Sequence, residues 1–190
     1  MTVTAQAIEH QPIRGLKRAE YDRLIDLGVF GEDERLELVF GQVVQMSPIG
    51  NWHHTAVRIL NAQLTVALAG RAGVSCQGPF AATDDSEPQP DIYVTDPEPS
   101  WNAKPSRAYL VIEVAQSSLE YDRGEKAALY AQSAVEEYWI VDLENMLVEV
   151  RREARDGQWR SIQTFRRGEA IAMLAFPDVL IAVADVLPPV

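Results

Sequence analysis

Apolar positions in LKRAEYDRLIDLGVF recur near helical spacing at Leu16, Ala19, Leu24 and Leu27, and Gly28 stands where such a helix would end. A short first helix is therefore expected. RLELVFGQVVQMSP reads instead as two β segments joined at Phe40-Gly41, a hairpin closed off by Pro48 and Gly50. From Trp52 to Ala69 the apolar residues Ala56, Ile59, Leu60, Leu64, Ala67 and Leu68 return at intervals of three and four, which predicts an amphipathic helix lying against a sheet.

Beyond Gly70 the period shortens. VSCQ and PFAAT predict short strands, DDSEPQP an exposed acidic loop, and DIYVT a further strand. The loop DPEPSWNAKPS leads into YLVIEVA, whose Val and Ile content and lack of alternation predict a central strand covered on both faces. LEYDRGEKAALYAQSA follows as a helix, with Gly124, Ala127, Ala128 and Ala131 on one side for close approach to the sheet. EYWIVDL and MLVEVRR predict a hairpin around Glu144-Asn145, and QWRSIQTF and VLIAV add short strands. The order helix, hairpin, helix, strands, helix, strands specifies an α/β (α+β) protein without internal repeats.

With 190 residues and 47% hydrophobic content, the chain can bury one sizeable core, so residues 16–190 are expected to form a single domain behind a partly loose tail, 1–15. The tail has no sustained apolar run of the kind a signal peptide needs, and no stretch is apolar enough for a membrane span. With a single cysteine, Cys76, which reads as a buried structural thiol, a cytoplasmic location is expected. The formal charge of −11 counts against a broad basic face for nucleic acid. The clusters Arg151, Arg152, Arg155 and Arg166, Arg167 are explained equally well by a solvated strand edge.

The candidate chemistry lies in single acids inside apolar strands. Glu113 interrupts LVIEVA, and Asp91, 22 residues earlier, opens DIYVT after Pro90. An ionised carboxylate in such a place costs several kcal/mol unless it is paired, hydrogen-bonded or bound to metal. Two converging carboxylates suit Mg²⁺ or Mn²⁺, and an ion pair with Arg or Lys is the alternative. Glu37 alternates with Leu36 and Leu38 and can equally be an outward-facing strand residue. Asp122, Lys126 and Tyr130 share one helical stripe; the first two form an ordinary i,i+4 pair, yet a helix following the Glu113 strand brings the lysine within possible reach of that acid. His53 and His54 open the second helix, where one can face the cleft or both can be simple helix-start residues. There is no phosphate-binding glycine loop, nucleophile elbow or Cys/His metal pattern.

In order, LELVFGQVVQMSP followed by His54, PDIYV, VIEVAQSS, the Asp122–Tyr130 string and EEYWIVD resemble the Uma-two family of restriction-endonuclease-like proteins, within the PD-(D/E)XK nuclease superfamily, from about Glu20 to Val183. The resemblance implies a restriction-endonuclease-like fold, a mixed central sheet flanked by helices. It implies Asp91, Glu113 and Lys126 as catalytic residues, and Asp91, Glu113 and Glu37 as ligands of Mg²⁺ or Mn²⁺. Asp122, Tyr130 and His54 would be in support. The implied activity is metal-dependent hydrolysis of phosphodiester bonds, with nucleic acid, DNA above all, as partner. A homodimer could form through the EYWIVD and MLVEV strands. Two alternatives stand beside it: a noncatalytic binding or oligomerisation module, and a hydrolase of a smaller phosphoester. The lysine that often follows the second acid by two residues is Ala115 here, and Lys126 resembles a lysine moved to the next helix. Gln42, Gln116 and Ser133-Ala134 also depart from the family pattern.

Overall fold

Glu113 occupies the middle of the sheet in the computed structural model, which describes residues 14–31, 33–48, 50–97, 101 and 103–189. Most of the expected tail, 1–13, lies outside the described residues. Helix α1 (Arg18–Asp26) precedes a hairpin of β1 (Leu36–Val39) and β2 (Gln42–Gln45). Phe40 and Gly41 both have positive φ, 48° and 76°, the backbone that a two-residue turn between right-twisted strands requires. Helix α2 (Asn51–Ala67) then buries Ala56, Leu60 and Leu64 of the predicted stripe together with Val57, while Ile59 is half-buried and Ala67 exposed.

The main sheet has the order β10-β9-β8-β6-β4-β3, formed by β3 (Gly73–Cys76), β4 (Ile92–Thr95), β6 (Leu110–Ala115), β8 (Glu137–Asp142), β9 (Leu147–Arg155) and β10 (Gln158–Arg166). All neighbours are antiparallel except β6 and β8. That parallel pair requires a crossover, which is supplied by α3 (Leu119–Tyr121), a π-helical turn (Asp122–Lys126) and α4 (Ala127–Gln132). Two-residue strands β5 (Arg107–Ala108) and β7 (Ala134–Val135) pair in parallel beside it. Near the C-terminus β11 (Ala170–Ala172) pairs with β12 (Leu180–Ala182), and α5 (Val183–Val186) follows.

Both faces of the sheet are covered. On β6, Leu110, Ile112 and Val114 join α2, Trp139 and the C-terminal strands in one core, whereas Val111 and Ala115 join Ala127, Tyr130, Tyr138 and Trp159 in the other. Glu113 shares the face of Val111 and Ala115, and so looks towards the crossover helix. This mixed sheet with flanking helices is the restriction-endonuclease-like architecture that the family resemblance implies.

Several local expectations are corrected. PFAAT forms no strand: its backbone bonds to loops, Phe80 N to Pro88 O and Ala81 N to Pro105 O. The DDSEPQP loop is largely buried, because Glu87 and Leu38 exchange backbone bonds and Gly41 N donates to Asp85 O, fastening the loop along β1. Cys76 is exposed, since β3 is an edge strand. Gly124 faces open space, while Ala127 and Ala131 are buried. Arg151 and Arg152 are ion-paired to Glu149 and Glu137 rather than solvated. Strands β8 and β9 lie inside the sheet and cannot pair two copies; the edges are β3 and β10. Among the described residues no helix is long and apolar enough to cross a membrane.

Candidate active site

The register of the central strands brings the two predicted acids together. Ile92 lies opposite Ile112, so Asp91, one residue earlier, reaches the level of Glu113, and its backbone N–H donates to Glu113 Oε2 at 3.2 Å. The other oxygen, Oε1, accepts from Lys126 Nζ at 3.0 Å and from the Tyr130 hydroxyl at 2.7 Å. Lys126 also donates to Glu37 Oε2 at 2.7 Å, so one buried ammonium bridges an acid of the hairpin and an acid of the central strand. Glu37 is further held by Gln89 N at 3.2 Å and the Tyr121 hydroxyl at 3.2 Å.

Asp91 is loaded unevenly. Its Oδ2 takes Val114 N at 2.9 Å and His53 Nε2 at 2.9 Å, whereas Oδ1 has only a 3.4 Å contact with the Gln77 amide. Asp122 is buried, accepts from Ser118 Oγ at 2.6 Å, and lines the same cleft of about 600 Å³. The π turn holds Asp122 at its start and Lys126 at its end; such widened turns recur at functional sites.

The structure therefore gathers Asp91, Glu113, Glu37, Lys126, Tyr130 and Asp122 within one network or at its cleft. It does not bring in His54. Successive helix residues point about 100° apart, so His54 is exposed and His53 takes the place at Asp91. Sequence reading also missed Tyr121, whose hydroxyl supports Glu37 and whose ring lies 5.8 Å from Lys126 Nζ. No signal in LEYDRGEK distinguishes it from a surface tyrosine.

Burial moves the titration of two acids at this site, Glu113 and Asp122. Complete desolvation raises the Glu113 carboxyl to about 8: Lys126 opposes the rise, and Asp91, Asp122 and Glu37 add to it. Burial likewise raises Asp122 to about 6, against the hydrogen bond from Ser118. For Lys126 burial acts to lower the value, but Glu113 and Glu37 outweigh it and hold the ammonium more firmly protonated than usual. Between 4.5, the ordinary Glu113 value, and about 8, the folded state keeps a proton that the unfolded chain has released. This stabilisation is fully present below pH 4.5 and is lost as pH rises through 8. Urea midpoints of the wild type should accordingly fall between pH 5.5 and 8.5, and Glu113→Gln should flatten that fall; an equal slope in the variant would assign the trend to other groups.

The mixed six-stranded sheet with flanking helices places the protein in the restriction-endonuclease-like fold class, with Glu113 on its central strand, Asp91 just before β4 and Lys126 on the crossover. The profile of the Uma2 family, described as "Putative restriction endonuclease", matches residues 18–184, and the chain belongs to that family. The structure is also similar to a crystal structure titled as "a putative nuclease belonging to DUF820 from Anabaena variabilis ATCC 29413", with a TM-score of 0.71. That match has 13% identity and covers 90% of this chain and 97% of the other, which shows a common fold. No curated protein matches the chain by sequence.

Proposed function

We propose that this protein is a divalent-metal-dependent endonuclease that hydrolyses phosphodiester bonds, with DNA as its substrate. The observation that carries the proposal is the linked set Asp91, Glu113 and Lys126 at the floor of the cleft.

The donor set fits a hard cation. All the candidate ligands are carboxylate oxygens, Asp91 Oδ1 is almost unclaimed, and the acids outnumber Lys126. Among the described residues no group of three or more His, Cys, Asp or Glu side chains is placed to hold a metal alone. Asp91 and Glu113 would therefore hold an ion that keeps several waters, the usual habit of Mg²⁺. Glu37, expected as a third ligand, lines the same cleft and shares Lys126 with Glu113, which anchors the ammonium between the two acids. When bound, the ion supplies an activated water and offsets charge building on the phosphate. The chain's own part is positioning. Tyr130 and the Asp91 N–H orient Glu113, and Lys126 presents a fixed positive charge beside the acids, where burial strengthens its pull on a phosphoryl oxygen.

Plasmid, single-stranded DNA and RNA should be incubated with Mg²⁺ or Mn²⁺ and either the wild type or Asp91→Ala. Metal-dependent cutting of DNA that the variant loses is expected. Unchanged cutting by the variant would refute the site, and cutting of RNA or of small phosphoesters alone would redirect the substrate. Failure to bind metal or to cut any substrate would favour a noncatalytic module. Binding should also respond weakly to salt. Among the described residues lining the cleft the cationic side chains are Arg35 and Lys126, and Lys126 is already paired. With about one phosphate neutralised, log K should fall with log[salt] at a slope near −1, far shallower than for a binder with 6–10 phosphate contacts. A slope steeper than about −4 would reveal a basic surface beyond the cleft.

A further inference from the structure

We propose that His53 is a positioning residue for Asp91: it ties up Oδ2 of that carboxylate and so fixes its orientation and leaves Oδ1 as the metal-binding oxygen. The inference rests on the metal-dependent reading above and assigns a role to a side chain outside the acid-and-lysine set.

Three features of the geometry support it. First, both strong donors to Asp91 converge on the same oxygen: Val114 N and His53 Nε2 each lie 2.9 Å from Oδ2, and Oδ1 keeps only the 3.4 Å Gln77 contact. A carboxylate accepts hydrogen bonds and donates none, so the imidazole donates through Nε2. With two donors on one oxygen, rotation about the Cβ–Cγ bond would break both bonds, and the second oxygen is left oriented by default. Second, neither donor can drift. Val114 N belongs to the central strand, and His53 stands in the first turn of α2, one helical turn before Val57, itself buried on the core-facing stripe. Third, Asp91 is the ring's only hydrogen-bond partner among the described residues: His53 Nδ1 is buried and has no partner. The histidine is thus no part of a wider structural network. It lines the cleft beside the acid it holds, at 14% side-chain exposure.

Hydrogen-bond partners of metal ligands typically change metal affinity 10–100-fold when removed. Mn²⁺ binding to the full chain should be measured by titration calorimetry for the wild type, His53→Ala, His53→Gln and Asp91→Ala, with metal-free melting curves as a check on folding. His53→Ala is expected to weaken Mn²⁺ binding about 10–100-fold. His53→Gln, whose amide N–H can replace the Nε2 donor, is expected to recover most of that loss, which a merely space-filling role would not produce. If Asp91→Ala abolishes Mn²⁺ binding while His53→Ala binds as the wild type does, the positioning role is overturned and the metal site stands. A folded His53→Gln variant as weak as His53→Ala also overturns it, and His53→Gln alone against wild type decides the matter if His53→Ala does not fold. Absence of Mn²⁺ binding by the wild type overturns both the metal site and the role of His53.

Discussion

Lys126→Met is expected to cost the folded state about 3–5 kcal/mol, because it strips the counterion from two buried acids at once. Glu37 and Glu113 would be left with neutral donors only: Gln89 N and Tyr121 for the first, Asp91 N and Tyr130 for the second. For a domain of this size the melting temperature should drop roughly 6–20 °C. The cost should depend on pH. Glu113 is raised to about 8 with Lys126 in place and is raised further without it, so at pH 6 a proton on Glu113 can stand in for the missing ammonium and the loss should be smaller there than at pH 9. Adding Glu37→Gln to Lys126→Met should recover part of the stability by removing one stranded charge. Chemical denaturation at the two pH values checks all three statements, and a loss below about 1 kcal/mol at pH 9 would mean that the ammonium contributes little to the pairing.

Asp91→Asn should lower the proposed phosphodiester cleavage by about 10³-fold or more, the several kcal/mol that loss of the proposed metal ion would remove from transition-state stabilisation. Its effect on stability should be small by comparison. The asparagine carbonyl can still accept from Val114 N and His53 Nε2, so the strand end and the first turn of α2 keep their contacts. The opposition between the two variants is informative: Lys126→Met acts on the fold and the site together, Asp91→Asn on the site alone. A cleavage rate within tenfold of wild type in Asp91→Asn, measured at saturating Mg²⁺, would move the reaction elsewhere on the protein.

The acids were legible in the sequence because burial of charge is conspicuous: an acid inside LVIEVA, and one at the head of DIYVT, have few tolerable environments. The central strand was legible from its unbroken run of Val- and Ile-rich residues, and the hairpin from the turn at Phe40-Gly41. The π turn was not. Asp122, Lys126 and Tyr130 fit the four-residue spacing of a regular helix, and nothing in DRGEK signals a wider turn. The histidine was open to recovery: His53, Val57, Leu60 and Leu64 lie at intervals of four, three and four and so share the buried stripe, whereas His54 falls off it. The buried DDSEPQP loop and the exposed Cys76 follow from tertiary pairing with β1 and from an edge position, neither of which local composition records.

The lysine's place on the crossover helix rather than on the strand has a mechanical consequence. Position 115, two residues after Glu113, is filled by an alanine packed in the second core, so the positive charge can be delivered only when the segment from Leu119 to Gln132 seats against the sheet. A chain with its strands assembled and this segment lifted would hold its acids without their cation and would be held open by their mutual repulsion. The proposed cleavage is thus conditional on the docking of one element. Amide exchange across that element should rise as activity falls under mild denaturant, well before the sheet itself gives way.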